Sequence, residues 1–99
     1  MGGAAEFLEG RVTVYGYPEV FAVNPRVRIF WNGSEIGSVG RGGVFSFDIV
    51  DDGEVRFKVA LRSTALLLFA DDETEIELSL DRISGKVIAR PLTSASAEW

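Results

Sequence analysis

Two acidic runs are the first residues of this chain that could do chemistry: Asp51-Asp52-Gly53-Glu54 and Asp71-Asp72-Glu73-Thr74-Glu75. Clustered carboxylates offer the hard oxygen ligands that calcium takes. A pair of them could also share the work of glycoside hydrolysis. Neither run has the spacing of a calcium-binding loop, and hydrolysis needs a cleft that raises one carboxyl pKa. The competing reading makes both runs polar turns between strands, with their charges in water. The expectation is therefore no metal, no cofactor and no catalytic residue.

What is missing narrows the chemistry further. The 99 residues contain no His and no Cys. That removes the commonest general base, the Ser-His-Asp arrangement, thiolate chemistry and the usual zinc ligands. The chain is expected not to be an enzyme.

A second feature is the stretch Trp31 to Gly43, WNGSEIGSVGRGG, with five glycines in thirteen residues. Glycine-rich loops cradle phosphates when a helix follows, or when the loop ends in Gly-Lys-Ser/Thr. Here the run Val44 to Val50, VFSFDIV, follows and alternates like a strand. Turns are the better reading. Asn32-Gly33 lies between two alternating runs, and both positions tolerate positive φ. Arg41-Gly42-Gly43 is expected to close the next hairpin. Gly37, inside a short strand, signals a bulge or a close backbone approach, and Gly53 marks the turn before the next strand.

A third constellation mixes aromatic rings and cations. If Val12, Val14, Val27, Ile29 and Trp31 face inward, then Tyr15, Tyr17 and Phe30 face outward beside Arg28, with Arg56 on the solvent face of another alternating strand. Such a patch could stack on a sugar or anchor a peptide. Alternatively Phe30 packs beneath the 18–25 loop and the tyrosines border the sheet. Opposite charges also sort by strand: Arg26, Arg28, Arg56, Lys58 and Arg62 against Glu75, Glu77 and Asp81. They either pair across strands within the molecule or steer association with another chain.

These residues need elements to hold them, and the sequence writes strands. Eight short β-rich runs alternate with turn signals: 11–17, 26–32, 35–39, 44–50, 54–62, 64–70, 74–81 and 86–92. In the fifth, Val55, Phe57, Val59 and Leu61 share one face. Run 64–70 is apolar on both faces and reads as a central or doubly covered strand. One-faced alternation implies antiparallel strands, and two such sheets must stack to bury their faces. The expected fold is all-β: a single-domain antiparallel sandwich of seven to eight strands over 1–99, with 1–9 a loose arm and 93–99 a frayed end.

The net charge of −5 argues against nucleic acid. The longest apolar run, Ala65 to Ala70, is too short to span a bilayer, so no membrane insertion is expected. No targeting segment is visible. The chain reads as soluble, cytoplasmic as it stands and extracytoplasmic if a precursor has been trimmed. The segment VRIFWNGSEIGSVGRGGVFSFDIVDDGEVRFKV resembles the hairpin core of small bacterial β-sandwich modules of the PEGA type. Val27, Ile29, Asn32, Gly33, Ile36, Gly37, Val39, Gly43, Phe47 and Gly53 occupy matching positions. Where that family carries Pro-Glu-Gly-Ala, this chain has Val-Asp-Asp-Gly-Glu-Val. The resemblance implies an immunoglobulin-like or prealbumin-like sandwich that serves attachment or interaction. The expected role is binding a protein partner, or a second copy through an exposed strand edge. A carbohydrate-binding module using the aromatic patch is the alternative.

Overall fold

The computed structural model describes residues 10–70 and 73–92. The expected arm, the frayed end, Asp71 and Asp72 lie outside the described residues. Eight strands and no helix occur among them: β1 (Gly10–Tyr15), β2 (Val27–Trp31), β3 (Ser34–Val39), β4 (Val44–Ile49), β5 (Gly53–Val59), β6 (Arg62–Leu68), β7 (Thr74–Leu80) and β8 (Val87–Pro91). They form two four-stranded sheets, ordered β4-β1-β7-β8 and β3-β2-β5-β6.

Alternation puts one face of each sheet inward. Val12, Val14, Ile49, Ile76, Leu78 and Val87 of the first sheet meet Val27, Ile29, Val39, Val55, Phe57 and Leu68 of the second in one buried cluster. Each such side chain contributes roughly 1.5–3 kcal/mol on burial. Trp31 packs against this cluster with its ring 6.0 Å from that of Phe47, as its place in the β2 alternation predicts.

Four expectations need correction. The first sheet is mixed, not purely antiparallel, because β1 runs parallel to β7. Alternation reports which face is buried and carries no information on strand direction. Second, the glycine turn after β3 does not close a hairpin. β3 and β4 lie at the edges of different sheets, so Arg41, Gly42 and Gly43 carry the chain across the sandwich. A turn sequence specifies a reversal, and the ladder that follows depends on distant partners. Gly42 has φ +71°, and the turn is closed by Gly43 N donating to Gly40 O at 3.0 Å.

Third, β5 ends at Val59, and Arg62 opens β6. Val59 pairs with Arg62, so Ala60 and Leu61 form a two-residue loop, and Leu61 is 97% exposed rather than inward. Ala60 adopts φ +54°, where glycine normally sits, so no turn signal announces the loop. Left-handed backbone costs an L-residue roughly 1–2 kcal/mol, against the 0.4–1 kcal/mol that glycine's freer unfolded chain costs. Ala60→Gly is therefore expected to stabilise the fold. A rise of about 4 °C in the thermal midpoint would show it. An unchanged or lower midpoint would contradict the loop geometry.

Fourth, β6 is not central. It is the outer strand of the second sheet, with Leu67 73% exposed. Its inner side chains reach the core while its outer ones face water, and apolar character on both faces cannot tell that from double coverage.

Strand directions set the two ends of the sandwich. Loops 16–26, 40–43, 60–61 and 81–86 gather at one end, here the loop end. Turns 32–33 and 50–52, together with Phe69, Ala70, Glu73 and Leu92, gather at the other.

Candidate functional site

The residues singled out from the sequence separate onto three parts of the molecule. Tyr15 lies on the outer face of the first sheet, paired in register with Val44 and Glu77. Arg28, Phe30 and Arg56 lie on the outer face of the second sheet, on the opposite side of the sandwich. Tyr17 lies on neither face. It is fully buried, and its hydroxyl donates to Pro25 O at 2.5 Å. The expectation that Tyr17 faces outward is thus overturned. The alternation of β1 stops at Tyr15, and past Gly16 the chain turns into the 16–26 loop, so the face of residue 17 no longer follows from that of residue 15.

The face of the second sheet is consistent within itself. Arg28 donates through Nη2 to Glu35 Oε1 at 2.9 Å and through Nε to Oε2 at 3.2 Å. This two-pronged pair raises the Arg28 pKa and lowers that of Glu35, the side-chain hydrogen bond being the larger cause for each. The Arg28 guanidinium also sits 5.1 Å from the centre of the Phe30 ring. Arg56, opposite Phe30, donates to Ser63 Oγ at 2.9 Å and approaches Glu54 at 3.5 Å. Lys58 completes the row beside Arg28. A sugar platform built on Tyr15, Tyr17, Phe30 and Arg28 together does not form, since only Phe30 and Arg28 meet.

The charged stripes also fall on different sides. β7 presents Glu77 on the first sheet, where Arg90 pairs with it, and Arg11 pairs with Asp48 at 2.7 Å on the same sheet. The cations Arg28 and Arg56 pair instead within the second sheet, with Glu35 and Glu54. Among the described residues no three carboxylates converge to hold a metal ion. Asp52 instead accepts a hydrogen bond from Ala70 N at 2.7 Å, as a turn residue does.

The predicted turn residues have specific structural work. Asn32 (φ +49°) and Gly33 (φ +88°) join β2 to β3 in the two-residue geometry their types predict. Asn32 Oδ1 also accepts from Glu54 N at 2.8 Å and so ties this turn to β5. The β2–β3 register slips between Ile29 and Phe30, opposite Gly37 and Glu35, which leaves Ile36 as the extra residue of a bulge. Gly37 also meets a close approach: a Cβ there would lie 2.4 Å from the Phe45 ring of the other sheet. At Gly53 a Cβ would lie 2.5 Å from Asn32 Oδ1 and 2.6 Å from the Trp31 ring.

The sandwich has four outer strands, and three carry blocks against edge pairing. β3 is bulged at Ile36, β4 carries Asp48, and β8 carries Arg90 and ends at Pro91. β6 has no proline, no bulge and no charge after Arg62. Leu67 on its outer face and Phe69 just past its end are 73% and 53% exposed. Sequence reasoning missed this edge because Ala60-Leu61 hid the turn that creates it. No family model matches the chain, and neither does any curated protein or solved structure. No helix among the described residues is long and apolar enough to cross a membrane.

Proposed function

We propose that this chain is a non-catalytic interaction module, an immunoglobulin-like or prealbumin-like sandwich akin to PEGA-type domains. It binds a partner polypeptide, or a second copy, by strand addition at β6. The observation that carries this reading is the edge of β6, which beyond Arg62 has none of the charge, bulge or proline found on the other three outer strands. An open edge offers a row of main-chain donors and acceptors, and an added strand satisfies them while its side chains cover Leu67 and Phe69. The absence of His and Cys supports a role without catalysis.

Hydrogen exchange and sedimentation together test it. Wild type is expected to form a dimer at high concentration, with slowed exchange confined to the β6 amides. Leu67→Lys places a charge on the exposed side of that strand and is expected to weaken the dimer about tenfold while leaving the monomer folded. Free β6 amides at every concentration, with Leu67→Lys indistinguishable from wild type, would defeat the proposal.

A further inference from the structure

The two ends of the sandwich carry opposite charge, and each exposes apolar side chains. Among the described residues, Arg26, Arg41, Arg62, Arg82 and Lys86 stand at the loop end against the carboxylates Glu19 and Asp81. None of the five cations forms a salt bridge with a described residue. Both carboxylates are engaged locally. Glu19 Oε1 accepts from Leu80 N at 3.1 Å, and Asp81 accepts from Ser84 Oγ at 2.7 Å and from Ile83 N at 3.2 Å. Arg82 lies over the Phe21 ring, 5.5 Å from its centre. Between these cations Val20, Val23, Leu61 and Ile83 are exposed by 55%, 79%, 97% and 96%. Phe21, Val23, Pro25, Val59, Leu80 and Ile83 line a crevice of about 340 Å³ there.

The far end is the counterpart. Asp51, Asp52, Glu54 and Glu73 gather there beside exposed Val50, Phe69 and Leu92. Of the cations near it, Arg11 is held by Asp48 and Arg56 approaches Glu54 at 3.5 Å, which leaves Asp51 and Asp52 without a described salt bridge. Each end therefore presents what the other lacks: apolar side chains within a cationic rim, and apolar side chains beside carboxylates.

We propose that copies of this chain associate end to end, the cationic loop end of one receiving the acidic end of the next. Burying Ile83, Val23 and Val50 would supply the non-directional attraction. The opposed charges would set the orientation and the rate of encounter. Because the two patches differ, the contact is heterologous and propagates as an open chain of subunits, unlike the closed pair that β6 edge addition would make.

Two single-ended variants of the full chain separate these arrangements. Ile83→Asp with Arg82→Glu disables the loop end, and Val50→Asp with Asp51→Arg disables the acidic end. All four side chains are exposed or half-buried, and circular dichroism verifies that each variant folds. In sedimentation velocity at about 0.01 M salt, with Leu67→Lys in every chain to remove the β6 contact, the chain with both ends native is expected to form species larger than dimers, and each end variant alone to be a monomer. An equimolar mixture of the two should form a one-to-one dimer and nothing larger, because only one intact contact remains. Raising salt to about 1 M is expected to weaken wild-type association about tenfold or more. A monomeric wild type at low salt would overturn the proposal. So would a wild-type dimer that Leu67→Lys alone abolishes, an outcome that leaves the β6 edge as the self-contact. Failure of the mixture to pair would overturn it as well.

Discussion

Gly16→Ala is expected to lower stability by about 3 kcal/mol, near the upper range for forcing atoms into filled space. A Cβ at this position would lie 2.0 Å from Gly40 O and 3.1 Å from Gly43 N. Those neighbours are backbone, and they have nowhere to retreat. Gly16 N donates to Gly43 O at 2.8 Å, Gly42 N to Tyr17 O at 3.0 Å, and Gly43 N to Gly40 O at 3.0 Å. Admitting a methyl group means breaking some of these bonds, and with them the docking of the β3–β4 crossover onto the end of β1. Urea unfolding provides the measurement, with a midpoint about 2 M lower if the slope is near 1.5 kcal/mol per M. Gly33→Ala is the control. It finds open space and loses only the glycine preference of its φ of +88°, about 1 kcal/mol. Equal effects from the two substitutions would mean that the crossover does not rest on β1.

Tyr17 carries the second large effect. Its ring is fully buried and stands 6.0 Å from that of Phe21. Tyr17→Ala is expected to cost about 4 kcal/mol, from lost burial and the cavity left behind. Tyr17→Phe keeps the ring and removes only the hydrogen bond to Pro25 O, at a cost of about 1 kcal/mol. The two variants also differ from wild type in alkali. Burial raises the Tyr17 pKa above the ordinary 10.0, opposed by nearby Arg41 and reinforced by Glu19. A phenol that ionises more readily in the unfolded chain stabilises the fold below the unfolded pKa. That contribution is lost as pH rises from about 10 through the folded value. Wild type should therefore lose stability over that window more steeply than Tyr17→Phe. Parallel pH profiles, or Tyr17→Ala within 1 kcal/mol of wild type, would place the ring outside the core.

The opposite fates of Tyr15 and Tyr17 show how far the sequence could be read. Period-two alternation correctly oriented Val12 and Val14, Ile29 and Trp31, and Ile76 and Leu78, because within a strand the side-chain direction follows from the backbone alone. It could not continue through Gly16, where the strand ends. Tyr15, Tyr17 and Phe30 could form one patch only if their strands were neighbours. β1 and β2 are adjacent in sequence but lie in different sheets, so Tyr15 and Phe30 face away from one another across the core.

Local chemistry alone determined the all-β character, most strand positions, the Asn32-Gly33 turn and the special place of Gly37. Each depends on φ preference or on a face repeating every second residue, and both act over a few residues. Tertiary structure alone decided which strands pair, that β1 and β7 run parallel, and that β6 is an edge. It also decided that Arg41-Gly42-Gly43 crosses between sheets and that Arg26, Arg41, Arg62, Arg82 and Lys86 gather at one end of the sandwich and Asp51, Asp52 and Glu73 at the other. Those outcomes depend on contacts between residues far apart in the chain. β1 and β7, for example, are brought together by the shared burial of Val12, Val14, Ile76 and Leu78, and no local pattern encodes which of several equally alternating strands will share that core.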